Sequence, residues 1–266
     1  MTKENSTPDS ETDAPGSSPR CDSSKPFGPA ETVPGLFDGA MSPRFTADEL
    51  TVVYATSGAS PLWLATRPSV DAPFGKARPL TELPLNSKPG SFVSISGDGR
   101  TVYSSYVNTL QKATRSTTTE PFGNVTELNI PGDPYAPFVT TDGNTLIGYF
   151  HPAGVHWSEN GNPFSVVPID EPVRYPVLTS DKLSLYMGRG YKVGEETQYK
   201  IMVSRRDTAN AKFGPATDVA ELTVAAVGKT ALPSWISPDG CVLYVARWLG
   251  PGKTPYPWTV MVRRPR

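Results

Sequence analysis

Apolar residues fall in short runs along most of the chain. "LTVVYAT", "RTVYSSY", "NTLIGYF", "LSLYMG" and "CVLYVA" have strand length and are rich in β-branched and aromatic residues. Each run follows a turn cluster centred on Asp48, Asp98, Asp142, Asp181 or Asp239. Three of the clusters contain Asp-Gly, where glycine accepts the positive φ of a tight hairpin turn. Before each turn stands another short segment, in "SPRFTADE", "GSFVSISGDG", "APFVTTDG", "YPVLTSDK" and "LPSWISPDG". A further strand follows, as in "PLWLATR", "TLQKATR", "GVHWSEN", "KIMVSRR" and "WTVMVRR". The pattern predicts many short strands joined by turns.

The segments recur with a period. "PFG" occurs at Phe27, Phe74 and Phe122, "PFS" at Phe164 and "KFG" at Phe213, so the phenylalanines are 47, 48, 42 and 49 residues apart. Five units repeat the same order of elements. Four strands and their turns need about 40–50 residues, the size of one propeller blade. A single such unit leaves its sheet faces exposed, and radial packing buries them. The repeat predicts an all-β, five-bladed propeller over residues 21–266. The repeated aspartates are expected to shape turns rather than to catalyse.

Composition agrees. The chain has 266 residues, with 29 Pro, 23 Gly and only 19% charged residues, a balance suited to strands and turns. A net charge of −1 gives no field to attract nucleic acid. No apolar run is long enough for a membrane span. Residues 1–20 lack aromatic and β-branched aliphatic side chains and are expected to be a disordered Ser/Thr/Pro/acid tail. No basic start with an apolar core marks a signal peptide. Read literally, that start is cytoplasmic. The tail would also suit an exported protein, or a lipoprotein spacer, whose signal is not in this sequence.

The "SPDG…LY" turn strand, followed by a strand ending in Arg and then by "FG", resembles the WD40-like repeats of TolB-type bacterial propellers. The resemblance covers residues 21–266. Asp48-Glu49 and Asp181-Lys182 depart from it by lacking the turn glycine. The third unit lacks the Arg. These departures are expected to loosen single turns. The resemblance implies that the turn strand is innermost and that "FG" opens the outermost strand of the preceding blade. The first "FGPAETV" must then join the last blade, beside "WTVMVRR", and close the ring. That arrangement would bring Cys21 to Cys241, the only two cysteines, and implies a disulfide between them. Two unpaired cysteines are the alternative. A disulfide would favour export.

In this architecture the Asp turns share one face, and longer, varied loops share the other. A varied loop face suits binding. Its longest loops are residues 188–198 and 247–257, carrying Arg189, Tyr191, Lys192, Trp248, Lys253 and Tyr256. Arg44, Tyr135, Arg174 and Tyr175 are expected at the mouth of the central channel. Aromatics beside Arg and Lys suit a protein or carbohydrate ligand. The same residues could simply cover blade tops. His151 and His156, the only histidines, have no third ligand in view for a metal, and no cofactor is expected. No nucleophile motif is present. The sequence therefore points to a monomeric, non-catalytic binding or scaffolding propeller of a bacterial envelope. A glycoside hydrolase is the alternative, using channel carboxylates from Asp38, Asp133, Asp170 and Glu171.

Overall fold

The computed structural model describes residues 21–265 except 23, 38, 57–61, 85–91, 170–172, 223–229 and 249–257. Five four-stranded antiparallel sheets make five blades. Strand β1 (Ala30–Thr32) belongs to the last of them. Blade one holds β2 (Met41–Phe45), β3 (Thr51–Ala55), β4 (Trp63–Thr66) and β5 (Arg78–Pro79). Blade two holds β6 (Phe92–Ile95), β7 (Thr101–Tyr106), β8 (Thr109–Thr114) and β9 (Gly123–Glu127). Blade three holds β10 (Asp133–Val139), β11 (Thr145–His151), β12 (Gly154–Glu159) and β13 (Ser165–Val166). Blade four holds β14 (Val173–Leu178), β15 (Ser184–Val193), β16 (Glu196–Arg205) and β17 (Thr217–Asp218). Blade five holds β18 (Thr230–Ile236), β19 (Val242–Trp248), β20 (Trp258–Arg263) and β1.

The first strands β2, β6, β10, β14 and β18 each lie against their two neighbours, so the ring is closed. It closes covalently as well as by pairing. Ala30 stands opposite Val262 and Thr32 opposite Val260. Cys21 and Cys241 are bonded, with their Cα atoms 5.6 Å apart and 220 residues between them in sequence. The seam between blades five and one is also packed. Phe45, Trp235 and Tyr244 are buried together, with Phe45 and Tyr244 ring centres 4.0 Å apart. Ser234 donates to the Pro43 carbonyl across it at 2.6 Å.

The repeated aspartate is a turn device. In every blade a Ser or Thr two residues earlier donates its hydroxyl to the carboxylate, at 2.5–2.6 Å. The same hydroxyl oxygen accepts the amide that starts the next strand. The carboxylate accepts the amide two residues on. Glu49 and Lys182 occupy the glycine position at φ 61° each, close to the 70° of Gly99 and Gly240. The expected loosening of these two turns is absent. The hydrogen bonds hold a non-glycine residue in the left-handed region, against a cost of about 1 kcal/mol.

These turns carry a pH dependence. Burial alone would push the Asp98 and Asp142 carboxyls up. Hydrogen bonds from Ser96 and Arg100, and from Thr140 and Asn144, outweigh it and hold both below the usual carboxylate range. A depressed carboxyl stabilises the fold above its unfolded value of about 3.9, and the contribution is lost as pH falls through the folded value. The melting temperature should therefore hold from neutral pH to about 4 and fall below that. An Asp98→Asn/Asp142→Asn variant should show a shallower acid limb. Parallel acid limbs would contradict this.

An arginine clasp fastens four of the blades on the same face. Arg67, Arg115, Arg206 and Arg264 donate from Nε to the backbone carbonyls of Glu49, Gly99, Lys182 and Gly240, at 2.7, 2.8, 2.7 and 3.1 Å. Each guanidinium lies over the repeat phenylalanine, Phe74, Phe122, Phe213 or Phe27, at 4.6, 4.3, 4.4 and 4.1 Å. The phenylalanine after each blade is thereby sealed under a cation. Blade three lacks the clasp.

Candidate functional site

The innermost strand of each blade is a sheet edge facing the channel. Proline is tolerated at an edge and blocks further pairing there. Pro43, Pro137 and Pro176 occupy such positions. The residues before them, Ser42, Ala136 and Tyr175, have φ of 47°, 46° and 55°. At these points the register against β3, β11 and β15 shifts by a bulge. A bulge re-aims the side chains beside it. This local geometry builds the channel mouth.

Four blades converge there. Phe92 of blade two lies 6.1 Å from both Tyr135 of blade three and Tyr175 of blade four. Tyr135 meets Tyr149 at 6.4 Å, and the Arg174 guanidinium lies 5.5 Å over Tyr149. Burial pushes the Tyr175 hydroxyl above its ordinary value, and Tyr199 adds to the effect. Arg44 of blade one lies in the same region but is wholly buried, at 0% exposure. Its Nη2 donates to the Ala136 carbonyl of blade three at 3.3 Å, and its guanidinium faces Phe138 at 5.3 Å. Nε and Nη1 have no partner among the described residues. Burial lowers the guanidinium pKa to about 9, with Tyr175 opposing the shift, so the group stays charged at neutral pH.

The structure thus brings together Arg44, Tyr135, Arg174 and Tyr175. It adds Phe92 and Tyr149, which the sequence reading did not single out. Their runs, "SFVSIS" and "LIGYF", read as ordinary strand, and only the ring geometry gathers them. Arg189 and Tyr191 lie on an extended hairpin rather than on a loop. Residues 188–198, read from sequence as a long loop, are strand on both sides of Gly194, with Tyr191 opposite Gln198 and Lys192 opposite Thr197. The glycines suggested a loop. Gly188 instead meets a packing demand, since a Cβ there would stand 2.4 Å from Leu232 Cδ2. Tyr191 donates to Gln198 Oε1 at 3.2 Å, and Arg189 packs on Met202 Sδ at 4.0 Å. Trp248 ends β19. Tyr256, Lys253, Asp38, Asp170 and Glu171 lie outside the described residues.

Asp133, the described member of the expected carboxylate set, accepts the Asn108 amide at 2.9 Å and so ties blade two to blade three. His156 is buried and meets Phe150 edge-on at 5.9 Å. Among the described residues no three His, Cys, Asp or Glu side chains cluster as a metal site would require. No described helix is long and apolar enough to cross a membrane.

No family model matches the chain, and no curated protein does. Solved structures do. TolB from Acinetobacter baumannii is similar at a TM-score of 0.50 and 15% identity, over 85% of this chain and 54% of that one. A functionally unknown protein from Desulfotomaculum acetoxidans aligns at 0.48 and 15%, over 84% and 75%. Kuenenia stuttgartiensis hydrazine synthase aligns at 0.44 and 16%, over 77% and 60%. This chain spans about half the length of the TolB chain, and at such identity the likeness is one of fold. With five closed blades, the chain is a TolB-like β-propeller in its fold.

Proposed function

We propose that this propeller is a non-catalytic binding module of the bacterial cell envelope, and that the channel mouth receives an acidic segment of a protein partner. The observation that carries the reading is Arg44. A guanidinium withdrawn from water needs an anion or a full set of acceptors, and its described surroundings offer one carbonyl. A carboxylate brought by a ligand would complete it, beneath the aromatic residues Phe92, Tyr135 and Tyr175. The disulfide supports an oxidising compartment, since cytosolic thiols are kept reduced.

The test uses Arg44→Met in opposite directions. Removing a buried charge that lacks a counterion should raise stability by about 1–4 kcal/mol. The same change should weaken binding of acidic peptides at least tenfold, measured against amidated and neutral controls. A loss of stability with unchanged peptide binding would sink the reading. Release of reducing sugar from glycans, lost in Asp133→Ala, would replace it with a hydrolase.

A further inference from the structure

We propose that the protein has a second ligand site, a saccharide-binding cavity on the rim between blades two and three. It opens where the arginine clasp is missing. Asn160 occupies the clasp position: its amide donates to the Asn144 carbonyl, as the Arg67, Arg115, Arg206 and Arg264 amides donate to residues 50, 100, 183 and 241. In the other four blades these places are closed by a guanidinium lying over a phenylalanine ring. Here a cavity of about 760 Å³ is lined by Asn160, by Gly143 at the turn carbonyl position and by Phe164 at the ring position. Those are the three places that form the clasp elsewhere.

The chain is also shorter at this point. Arg67, Arg115 and Arg206 each stand seven residues before the repeat phenylalanine, and Asn160 stands four before Phe164. The shortening is made by an Asn-Gly turn. Asn160 and Gly161 have φ of 52° and 76°, and the Asn162 amide bonds back to the Glu159 carbonyl at 2.9 Å. Phe164 turns to Phe150 instead, with ring centres 5.0 Å apart, and is only partly buried. The four clasped phenylalanines are all buried.

The lining fits a neutral polyhydroxylated ligand. Phe164, half-buried, offers ring surface on which the apolar face of a pyranose can lie, and the buried Tyr103 closes the wall beside it. Asn129, Asn160 and Asn162 line the cavity, and their side-chain amides have no partner among the described residues. Each amide presents both donors and an acceptor, which matches hydroxyl groups that do the same. Leu128, Ile130 and Leu146 supply apolar wall. The lining contains no carboxylate and one cation, Lys112, so it attracts neither a strongly cationic nor a polyanionic ligand. The size lies within the range of about 300–1,000 Å³ usual for small-molecule sites.

The experiment titrates maltose, cellobiose, lactose and chitobiose into the protein, read by saturation-transfer NMR and calorimetry. At least one is expected to bind the wild type. Asn129→Trp fills the cavity from an exposed loop position and should weaken binding at least tenfold with the melting temperature unchanged. Tyr103→Phe should weaken it less, through the lost hydroxyl alone. Arg44→Met should leave disaccharide binding intact, which separates this site from the channel mouth. Failure of all four sugars to bind, binding that survives Asn129→Trp, or binding lost in Arg44→Met would each overturn the proposal.

Discussion

Removing the Cys21–Cys241 bridge is expected to lower the unfolding free energy by about 5 kcal/mol, the largest single effect in the molecule. The cross-link spans 220 residues, so in the unfolded chain it closes a loop nearly as long as the propeller itself. Loop-closure entropy grows only logarithmically, and this length sits near the upper end of what one bridge supplies. The folded state gives little of it back, because other contacts already hold the segment in place. Asp22 donates to the Pro265 carbonyl, Gly28 to the Arg263 carbonyl, and Phe27 lies under Arg264. A Cys21→Ser/Cys241→Ser variant should therefore keep its circular dichroism at 20 °C while its melting temperature drops by roughly 10–20 °C. Coincident melting curves for the two proteins would show that the bridge constrains nothing.

The second large effect concerns Arg67. In blade one the clasp has an added duty. Glu49, standing where three other blades have glycine, sends its carboxylate into the seam between blades one and five, and its side chain is only 4% exposed. There it accepts the Tyr244 hydroxyl at 2.8 Å and lies 3.9 Å from Arg67 Nη2. Burial, and then Glu49, push the Tyr244 hydroxyl well above its ordinary range. Arg67→Met removes the guanidinium that lies 3.9 Å from this buried carboxylate, and loss of one partner of a buried pair should cost about 3–5 kcal/mol. Restoring the turn glycine should recover much of the loss, because Glu49→Gly removes the buried charge and the left-handed strain together. In urea titrations the double variant should be more stable than Arg67→Met alone. Additive losses would mean that the two residues act independently.

The periodic features were legible in the sequence because the ring repeats them. Five turn aspartates and five phenylalanines at near-constant spacing specify blade number, while the place of each strand in the blade and the sharing of the last blade between both ends were implied by the resemblance to TolB-type propellers. The terminal Arg of four units was visible as a motif, but its partner, a backbone carbonyl one residue past the aspartate, leaves no mark in the side-chain pattern. Features that break the period carried the local information. The spacing of 42 between Phe122 and Phe164 marks the blade whose clasp is missing and whose rim is open. The hairpin of residues 188–198 was misread because glycine, normally a turn signal, serves there to admit Leu232. Channel-mouth neighbours such as Phe92 and Tyr175 are 83 residues apart and meet only through the ring. No local pattern announces such a pair.

Closure by both ends also sets an order of assembly. Blades one to four are each built from consecutive strands and can form without a distant segment. Blade five cannot, because Ala30–Thr32 waits for Val260–Val262. At roughly 5–20 residues per second, the two segments are synthesised on the order of ten to fifty seconds apart. Through that interval the first strand has no edge to join and Cys21 has no thiol to meet. The last blade is thus the final piece to form and the natural place for the ring to part, and its lifetime under heat or protease measures that of the whole propeller.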